Sequence, residues 1–368
     1  MSVDEAYMRR ALELAARGRG VTSPNPLVGA VVVKDGRVVA EAFHEGAGRR
    51  HAEAVALDAA GDEARDATLY VNLEPCVHHG RTPPCAPRVI ESGVWRVVVA
   101  MPDPNPLVDG RGFRALRDAG IEVTTGVLEH ESRRLNEAFL THVRTGRPFV
   151  TLKMAASLDG KVAARDGSSR WITGGEARED VHRMRAEVDA IMVGAGTAFR
   201  DDPSLTVRVA GYHGRGKLRV LVDGRGIVPE SHRLFAEGGA PTLVATTEGA
   251  PEDRRRAWAD AGADVVVIDD DGRSLIELDA LFRELGKRDV QHVLLEGGPT
   301  LAWEAVRRDL VDRVVLFFAP IFVGGDRAPS VLMGDGTPTI GEARPVAIES
   351  VERVGDDIKV VARVHRDH

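Results

Sequence analysis

The chain has 368 residues, a formal net charge of −7 and an apolar content of 43%, which is typical of a globular protein. One hydrophobic core rarely serves more than roughly 250–300 residues, so two domains are expected. The chain has no dense basic run, which argues against a nucleic-acid partner. Its longest apolar run, residues 314–323, contains Pro320 and is far shorter than the roughly 20 residues that span a bilayer, so no membrane partner is expected.

The first half of the chain alternates helix and strand patterns. Ser2 and Glu5 have the spacing of a capping box, which predicts a helix from there to about Arg17. Residues 34–37 predict a hairpin turn between strands over 28–33 and 38–43. The other predicted elements of this half are helices over 51–60, 84–92, 113–119 and 130–139 and strands over 67–73, 96–101 and 122–127. This alternation predicts the α/β class.

Two short motifs in this half predict a catalytic zinc site. They are His51-Ala-Glu53 and a segment that runs from Pro75-Cys76 to Cys85, and they hold both cysteines of the chain. A structural zinc site is closed by four protein ligands, whereas a catalytic one keeps three and leaves the fourth position to water. His51, Cys76 and Cys85 supply three. Glu53 is placed to act as general base and then as general acid.

Either motif alone would be weak, because two cysteines are often only buried thiols and His-x-Glu often marks a helix surface. Together, with Pro75 before the first cysteine, they favour a zinc deaminase, whose signature is H-x-E followed by P-C-x-x-C. Here eight residues, not two, separate the cysteines. Thiolates that bind metal must stay reduced, so a cytoplasmic location is expected. The first residues also lack the basic-then-apolar layout of a signal peptide.

Residues 141–148 are predicted to form a domain boundary, because the apolar pattern restarts at Phe149. The second half again alternates strands and helices. Its predicted strands are 149–154, 190–193, 218–222, 242–245, 265–268, 292–295 and 314–318. A second capping box is predicted at Thr173 and Glu176, before a helix that carries Arg185.

Four clusters stand out in the second half: residues 153–161, 169–173, 193–208 and 295–301. The last two each place glycines between a strand and a possible helix start, where free N–H groups can bind phosphate. A glycine turn after a strand is, however, often only a turn. No G-x-G-x-x-G is present, so the ordinary dinucleotide fingerprint is absent.

With Pro24-Asn25-Pro26 upstream and Asp103-Pro-Asn105-Pro106 downstream, the zinc motifs resemble those of the bifunctional riboflavin-biosynthesis deaminase–reductases. The resemblance implies a cytidine-deaminase-like α/β/α sandwich over residues 1–145, acting as a zinc-dependent pyrimidine deaminase. It implies a dihydrofolate-reductase-like α/β domain over residues 148–368, acting as an NADPH-dependent reductase. The expected reactions are deamination of 2,5-diamino-6-(5-phosphoribosylamino)pyrimidin-4(3H)-one and then reduction of its ribosyl group to ribityl. A homo-oligomer is also expected.

The resemblance also implies which residues line the two sites. The deaminase substrate, a phosphoribosylated pyrimidine, would be held by Asn25, His44, His78, Arg81, Asp103 and Asn105. The reductase substrate would be held by Lys153, Ser169, Arg185, Leu205, Arg208 and Glu296. NADPH would be bound by Ala155, Trp171, Thr197, Asp201, Gly224, Gly297, Gly298, Pro299, Thr300 and Leu301.

Plainer interpretations remain for several of these residues. Asn25 can be an ordinary turn asparagine, and Arg185 and Arg208 can be solvated arginines, although guanidinium groups suit phosphate. His78 and His79 can be further zinc ligands instead of substrate contacts. Arg225 is a further candidate contact for the 2′-phosphate of NADPH.

Two other functions fit part of the pattern. A nucleoside or tRNA base deaminase with an unrelated C-terminal binding domain would explain the first half and leave the second without a purpose. A structural zinc module would need a fourth protein ligand, such as His78 or His79, and would have no use for Glu53.

Overall fold

The computed structural model describes residues 1–80, 82–212, 216–236, 240–269 and 275–364. Arg81, a predicted phosphate contact, lies outside these residues. Within the described ranges, no helix is both long and apolar enough to cross a membrane.

The chain divides into two compact units, Met1–Gly146 and Arg147–His368. The strands of the first unit are β1 (Gly29–Lys34), β2 (Arg37–Phe43), β3 (Thr68–Leu73), β4 (Arg96–Met101) and β5 (Glu122–Thr125). Its helices are α1 (Val3–Ala16), α2 (Ala52–Ala60), α3 (Cys85–Glu91), α4 (Arg111–Asp118), α5 (Glu129–Leu135) and α6 (Glu137–Thr145). The sheet order is β2-β1-β3-β4-β5. β1 is antiparallel to both neighbours, while β3, β4 and β5 are parallel.

Helices cover both faces of this sheet, because successive strand residues point to opposite sides. Ala30 and Val32 pack with Leu57 of α2, whereas Val31 and Val33 pack with Met8 of α1. The unit is therefore a three-layer α/β/α sandwich. Its layers bring α2, which is preceded by His51 and carries Glu53, and α3, which begins at Cys85, to one side of the sheet.

Local predictions in the first unit are largely confirmed. Ser2 and Glu5 form the reciprocal hydrogen bonds of a capping box at the start of α1. Asp35 and Gly36 both have positive φ and form the two-residue turn between β1 and β2. The helix predicted over 130–139 was wrong, since the chain leaves helical geometry at Asn136, between α5 and α6.

The second unit contains a nine-stranded sheet of order β10-β9-β8-β7-β11-β6-β12-β14-β13. Its strands are β6 (Phe149–Ser157), β7 (Ala190–Gly194), β8 (Leu218–Val222), β9 (Thr242–Thr246), β10 (Asp264–Val267), β11 (His292–Leu295), β12 (Arg313–Ala319), β13 (Ala347–Val354) and β14 (Asp357–Arg363). Its helices are α7 (Gly175–Glu187), α8 (Ala195–Asp201), α9 (Arg233–Ala236), α10 (Glu252–Asp260), α11 (Leu278–Lys287) and α12 (Pro299–Arg307). The strands from β10 to β12 in this order are parallel, and β14 is antiparallel to both of its neighbours.

Parallel strands that lie side by side end at the same edge of a sheet. β7, β8 and β11 end at Gly194, Val222 and Leu295, so the segments that follow them meet at one edge. In open α/β sheets this carboxyl edge is where ligands bind. Most of the predicted reductase residues lie in those segments.

Two predictions in the second unit were wrong or incomplete. Thr173 does not cap α7, because the N-cap is Gly174, whose N–H donates to Asp357 at 2.8 Å. The hairpin of β13 and β14 was not predicted. The residues of β13 are mostly exposed and mixed in polarity, and a bulge lies between Ile348 and Ser350, so no regular apolar alternation appears.

Candidate active sites

Three potential metal ligands converge in the first unit. The Nδ1 atom of His51 lies 3.2 Å from the Sγ of Cys85 and 3.6 Å from the Sγ of Cys76. The three ligand atoms lie within 4.8 Å of one another. One nitrogen and two sulfurs at these separations suit a zinc ion, whose bonds to such atoms are about 2.0–2.3 Å long. Neither His78 nor His79 belongs to this group of described residues, which leaves a position for water.

The electrostatics of the two cysteines also fit a cation. The thiol of Cys85 and the imidazole of His51 hydrogen-bond the sulfur of Cys76 and lower its pKa to about 4, although burial acts in the opposite direction. The pKa of Cys85 is raised, because its proton is shared with Cys76 and the thiol is buried. Zinc binding would therefore displace one proton from between the two sulfurs. Because a proton is released, the affinity of the site for zinc would rise with pH.

Thr82 fixes the orientation of the His51 ring. Its hydroxyl oxygen lies 3.0 Å from the Nε2 of His51, on the side of the ring away from the cysteines. A ligating histidine usually donates its other N–H to such a partner, and this selects the ligating nitrogen. The zinc motifs gave no indication of this role, which depends on the loop between the cysteines folding back over the histidine.

Glu53 lies in the first turn of α2, and its side chain is buried. Burial raises the pKa of Glu53, and the negative charge of Cys76 raises it further, while His51 acts in the opposite direction. A carboxyl group that holds its proton more tightly is suited to proton transfer near neutral pH.

His44 sets the orientation of the Asn25 amide. The Nδ1 of His44 lies 3.1 Å from the backbone oxygen of Arg50, which can only accept, so Nδ1 carries the proton. In the neutral ring Nε2 then accepts from the Asn25 Nδ2 at 2.9 Å. Burial lowers the pKa of His44, which favours this neutral form. The amide oxygen of Asn25 is left to accept a hydrogen bond from a ligand.

The loop that carries Asn25 is anchored from two directions. Asn136 bonds both the N–H and the carbonyl oxygen of Leu27, at 2.7 and 3.0 Å. Asn72 of β3 donates to the same carbonyl at 2.9 Å and accepts from the Gly29 N–H at 2.8 Å. Asn136 lies at the break between α5 and α6, and no sequence pattern distinguishes either asparagine.

Asp103 and Asn105 lie in the loop that follows β4, next to the segment that follows β3. Asp103 is buried, and this burial raises its pKa to about 6. The Nδ1 of His78 is buried and has no hydrogen-bond partner among the described residues, so it is available to a ligand.

The second unit contains a largely buried cluster of opposite charges. The Nε and Nη2 atoms of Arg185 donate to the two carboxylate oxygens of Glu296 at 2.5 and 3.0 Å. Its Nη1 donates to the backbone oxygen of Thr206 at 3.0 Å. The Nζ of Lys153 lies 4.0 Å from Glu296. Three of the five N–H groups of Arg185 are thus used within the protein.

The charged groups in this cluster shift one another's pKa values. Burial would raise the pKa of Glu296, but Arg185 and Lys153 together lower it below its ordinary value. Burial lowers the pKa of Lys153, and Glu296 only partly opposes this effect. Arg208 lies nearby, where its N–H donates to the Nδ1 of His182 at 3.2 Å. His182 precedes Arg185 by one turn of α7 and was not predicted.

The two glycine turns pack against each other. A Cβ at Gly298 would lie 2.9 Å from the hydroxyl of Thr197, and one at Gly194 would lie 3.3 Å from Leu301. Side chains at these glycines would push the turns apart. Pro299 opens α12, and the first helical turn closes with the bond from the Ala302 N–H to the Gly298 oxygen, so the N–H groups of Thr300 and Leu301 precede the first acceptor within the helix. Such free N–H groups fit a nucleotide phosphate.

The remaining predicted cofactor and substrate residues lie around this edge. The ring of Trp171 is 69% exposed and lies 4.6 Å from the guanidinium carbon of Arg178. Leu205 is buried beside the loop that carries Arg208. Ala155 lies within β6, Ser169 between β6 and α7, and Gly297 after β11. Asp201 lies at the end of α8, and its carbonyl oxygen accepts from Arg170. Gly224 follows β8, and its carbonyl oxygen accepts from Thr247.

Family models match both units. Residues 1–101 match the cytidine and deoxycytidylate deaminase zinc-binding region. Residues 148–360 match the RibD C-terminal domain. These matches confirm the predicted fold class, a cytidine-deaminase-like sandwich followed by a reductase domain.

Several relatives match this chain over almost its whole length. The riboflavin biosynthesis protein RibD of Aquifex aeolicus is 42% identical, over 97% of this chain and 98% of its own. The Escherichia coli protein of the same name is 40% identical, over 96% and 98%. Among solved structures, Acinetobacter baumannii RibD has a TM-score of 0.89 at 37% identity, and coverage is 99% of each chain. A Thermotoga maritima diaminohydroxyphosphoribosylaminopyrimidine deaminase/5-amino-6-(5-phosphoribosylamino)uracil reductase has a TM-score of 0.86 at 38% identity, again with 99% of each chain covered.

Replacing Thr82 by Val should weaken zinc binding. The change removes the acceptor for the Nε2–H of His51 and keeps the shape of the side chain, and loss of such a partner typically costs about 10- to 100-fold in metal affinity. Competition with a chromophoric chelator measures the effect. Thr82→Ser keeps the hydroxyl and should bind zinc like the wild type. Equal affinities for the Val and Ser variants would show that Thr82 does not orient His51.

Proposed function

Because this chain belongs to the bifunctional deaminase–reductase family of riboflavin biosynthesis, we propose that residues 1–145 hold its deaminase site and residues 148–368 its reductase site. The enzyme uses Zn²⁺ for deamination and NADPH for reduction, and its substrate is a phosphoribosylated pyrimidine. The match of residues 148–360 to a reductase domain rules out a base deaminase with an unrelated C-terminal half. The observation that carries the residue assignment is the His51, Cys76 and Cys85 cluster with a buried Glu53 beside it.

In deamination, Glu53 moves the protons. When bound, zinc lowers the pKa of a coordinated water to about 7 and so provides a nucleophile at neutral pH. Glu53 accepts a proton as the new carbon–oxygen bond forms, and it delivers a proton to the amino nitrogen as the carbon–nitrogen bond breaks. Ammonia leaves, and the ring carbon keeps the oxygen. The raised pKa of Glu53 supports both roles.

The pyrimidine is held by groups that are already fixed. The free amide oxygen of Asn25 accepts from an amino or N–H group of the ring, because His44 occupies the amide nitrogen. Asp103, Asn105 and the unpaired His78 Nδ1 contact the rest of the substrate. Arg81 is assigned to the phosphate on chemistry alone, since guanidinium forks match phosphate oxygens.

Changing Glu53 to Gln should abolish deamination without affecting the metal or the second reaction. The amide cannot accept the proton, and loss of a general acid–base typically costs about 10²- to 10⁴-fold in rate. The assay follows ammonia release and zinc content, with NADPH oxidation on 5-amino-6-(5-phosphoribosylamino)uracil as the internal check. Glu91→Gln, an exposed carboxylate on α3, is the matched control. Deamination at the wild-type rate in Glu53→Gln would remove Glu53 from the mechanism.

In reduction, the glycine turns would hold NADPH, and Arg185, Lys153 and Glu296 would face the sugar of the substrate. When bound, NADPH supplies hydride to C1′ of the opened ribosyl group. Thr300 and Leu301 would offer their N–H groups to its phosphates, and Thr197 packs closely against Gly298 where the two turns meet. Glu296 fixes Arg185 and Lys153, which with Arg208 face the phosphoribosyl substrate. Reduction at this carbon depends mainly on such positioning.

Changing Glu296 to Gln should impair the second unit selectively. It leaves Arg185 and Lys153 buried without a counter-charge, and breaking a buried pair in this way lowers the free energy of unfolding by about 3–5 kcal/mol. NADPH oxidation should fall while ammonia release continues. Calorimetry and the two assays measure these effects, and Glu179→Gln on the exposed face of α7 is the control. Wild-type NADPH oxidation in Glu296→Gln would exclude this cluster from the reductase site.

We also propose that the protein is a homo-oligomer. β13 is an edge strand, and its Ile348 and Val351 are 65% and 62% exposed. An edge strand with exposed apolar side chains favours pairing with another chain. Light scattering should show an assembly that Ile348→Lys dissociates and Arg353→Glu, on the same strand, does not. A monomeric wild type would refute the proposal.

The cytoplasm is the proposed location, because the two cysteine ligands must stay reduced to hold zinc. Cell fractionation checks this placement. Recovery of the protein in an oxidising compartment would contradict it.

A further inference from the structure

Glu74 is a buried carboxylate with no role in the chemistry described above. It follows the last residue of β3 and precedes Pro75 and Cys76, and only 2% of it is exposed. We propose that Glu74 is a positioning residue for deamination, which holds the loop of residues 102–110 against the segment that carries the zinc ligand Cys76. This inference rests on the proposed substrate roles of Asp103 and Asn105, which lie in that loop.

One carboxylate holds both ends of this loop. Oε2 of Glu74 accepts from the N–H groups of Asp103 at 3.2 Å and Gly110 at 3.1 Å. Oε1 accepts from those of Gly112 at 2.8 Å and Phe113 at 3.2 Å. The first donor comes at the start of the loop, and the other three come where it enters α4. The four bonds join the two ends of the loop through a single side chain from β3.

A carboxylate is required here because all four partners are donors. The N-cap of α4 is Gly110, which has no side chain to cap the helix. Glu74 supplies the missing acceptors from another part of the chain, and its negative charge is favourable at a helix N-terminus. A buried carboxylate without such bonds would be strongly destabilising. Glutamine would keep the shape but turn an NH₂ group towards two backbone donors.

Among the residues that the structure describes, the interior of the loop makes short-range bonds of its own. The side chain of Asp103 accepts from the Asn105 N–H at 2.9 Å, and that of Asn105 accepts from the Leu107 N–H at 3.0 Å. These bonds shape the loop but do not fix it to the zinc segment. The bonds to Glu74 fix the loop to this segment, and so they set the positions of Asp103 and Asn105 relative to Cys76.

Gly112 provides a second contact at the same place, this one with the backbone of Pro75. A Cβ at this position would lie 2.2 Å from the backbone oxygen of Pro75, the residue before Cys76. Backbone cannot yield as a flexible side chain does, so alanine at 112 would have to move α4 and the loop away from the zinc segment. The same Cβ would lie 3.0 Å from Oε1 of Glu74, so Gly112→Ala displaces the loop from both Pro75 and the Glu74 carboxylate while the carboxylate itself is retained.

The test compares Glu74→Gln with the wild-type full-length enzyme loaded with zinc. We expect kcat/KM for deamination to fall about 10- to 100-fold, mostly through a higher KM for the diaminopyrimidine, because small misplacements of contact groups have effects of this size. Zinc content and NADPH oxidation on the uracil substrate should not change. A merely structural role would lower the amount of active protein, and so the apparent kcat, without changing KM.

Gly112→Ala should reproduce the rise in KM, and the double variant should be no worse than the more severe single variant, because both changes displace one loop. Glu91→Gln is the control and should match the wild type. An unchanged KM in Glu74→Gln, or a loss of zinc in parallel with activity, would overturn the proposal. Failure of the proposed function appears differently, as deamination that survives Glu53→Gln.

Discussion

Both sites depend on one constraint, that neighbouring parallel strands end at the same edge of a sheet. In the first unit, β3 and β4 end side by side, so the segment that carries Cys76 and the loop that carries Asp103 must meet. In the second unit, β7, β8 and β11 also end side by side, so Gly194, Gly224 and Glu296 lie at one edge of the sheet. Antiparallel β1 and β2 extend the first sheet on the other side of β3 and bring in the loop of Asn25 and the segment of His44.

Three glutamates with little exposed surface have different roles, because their surroundings differ. Glu53 lies beside thiol groups, and its raised pKa suits proton transfer. Glu296 faces two cations, and its lowered pKa keeps it charged as an anchor for Arg185 and Lys153. Glu74 faces backbone donors and joins two segments. A buried charge costs several kcal/mol unless it is paired, so each position requires the partners that the fold provides.

In the first site, each polar group fixes which atoms of its neighbour are available for a further bond. Thr82 leaves only the Nδ1 of His51 for a metal, and the Arg50 carbonyl leaves only the Nε2 of His44 for Asn25. Asn72 and Asn136 in turn hold the loop of Asn25. The site is therefore largely organised before a ligand arrives, which reduces the ordering that substrate binding must impose.

The amino-acid sequence by itself determined the α/β class and the division into two parts, and it indicated the cluster of His51, Cys76 and Cys85 that the structure brings together, because these depend on local periodicity and on residue types with few other uses. It did not predict the β13–β14 hairpin, where a bulge and exposed residues of mixed polarity obscure the alternation. Nor did it predict the break at Asn136 or the roles of Thr82, Asn72, His182 and Glu74. Each of these residues acts through a partner distant in the chain, as Glu74 does with Gly110 and Gly112. Only the tertiary structure decides such pairs, because a hydrogen bond requires two groups to meet in space and leaves no periodic mark on the sequence.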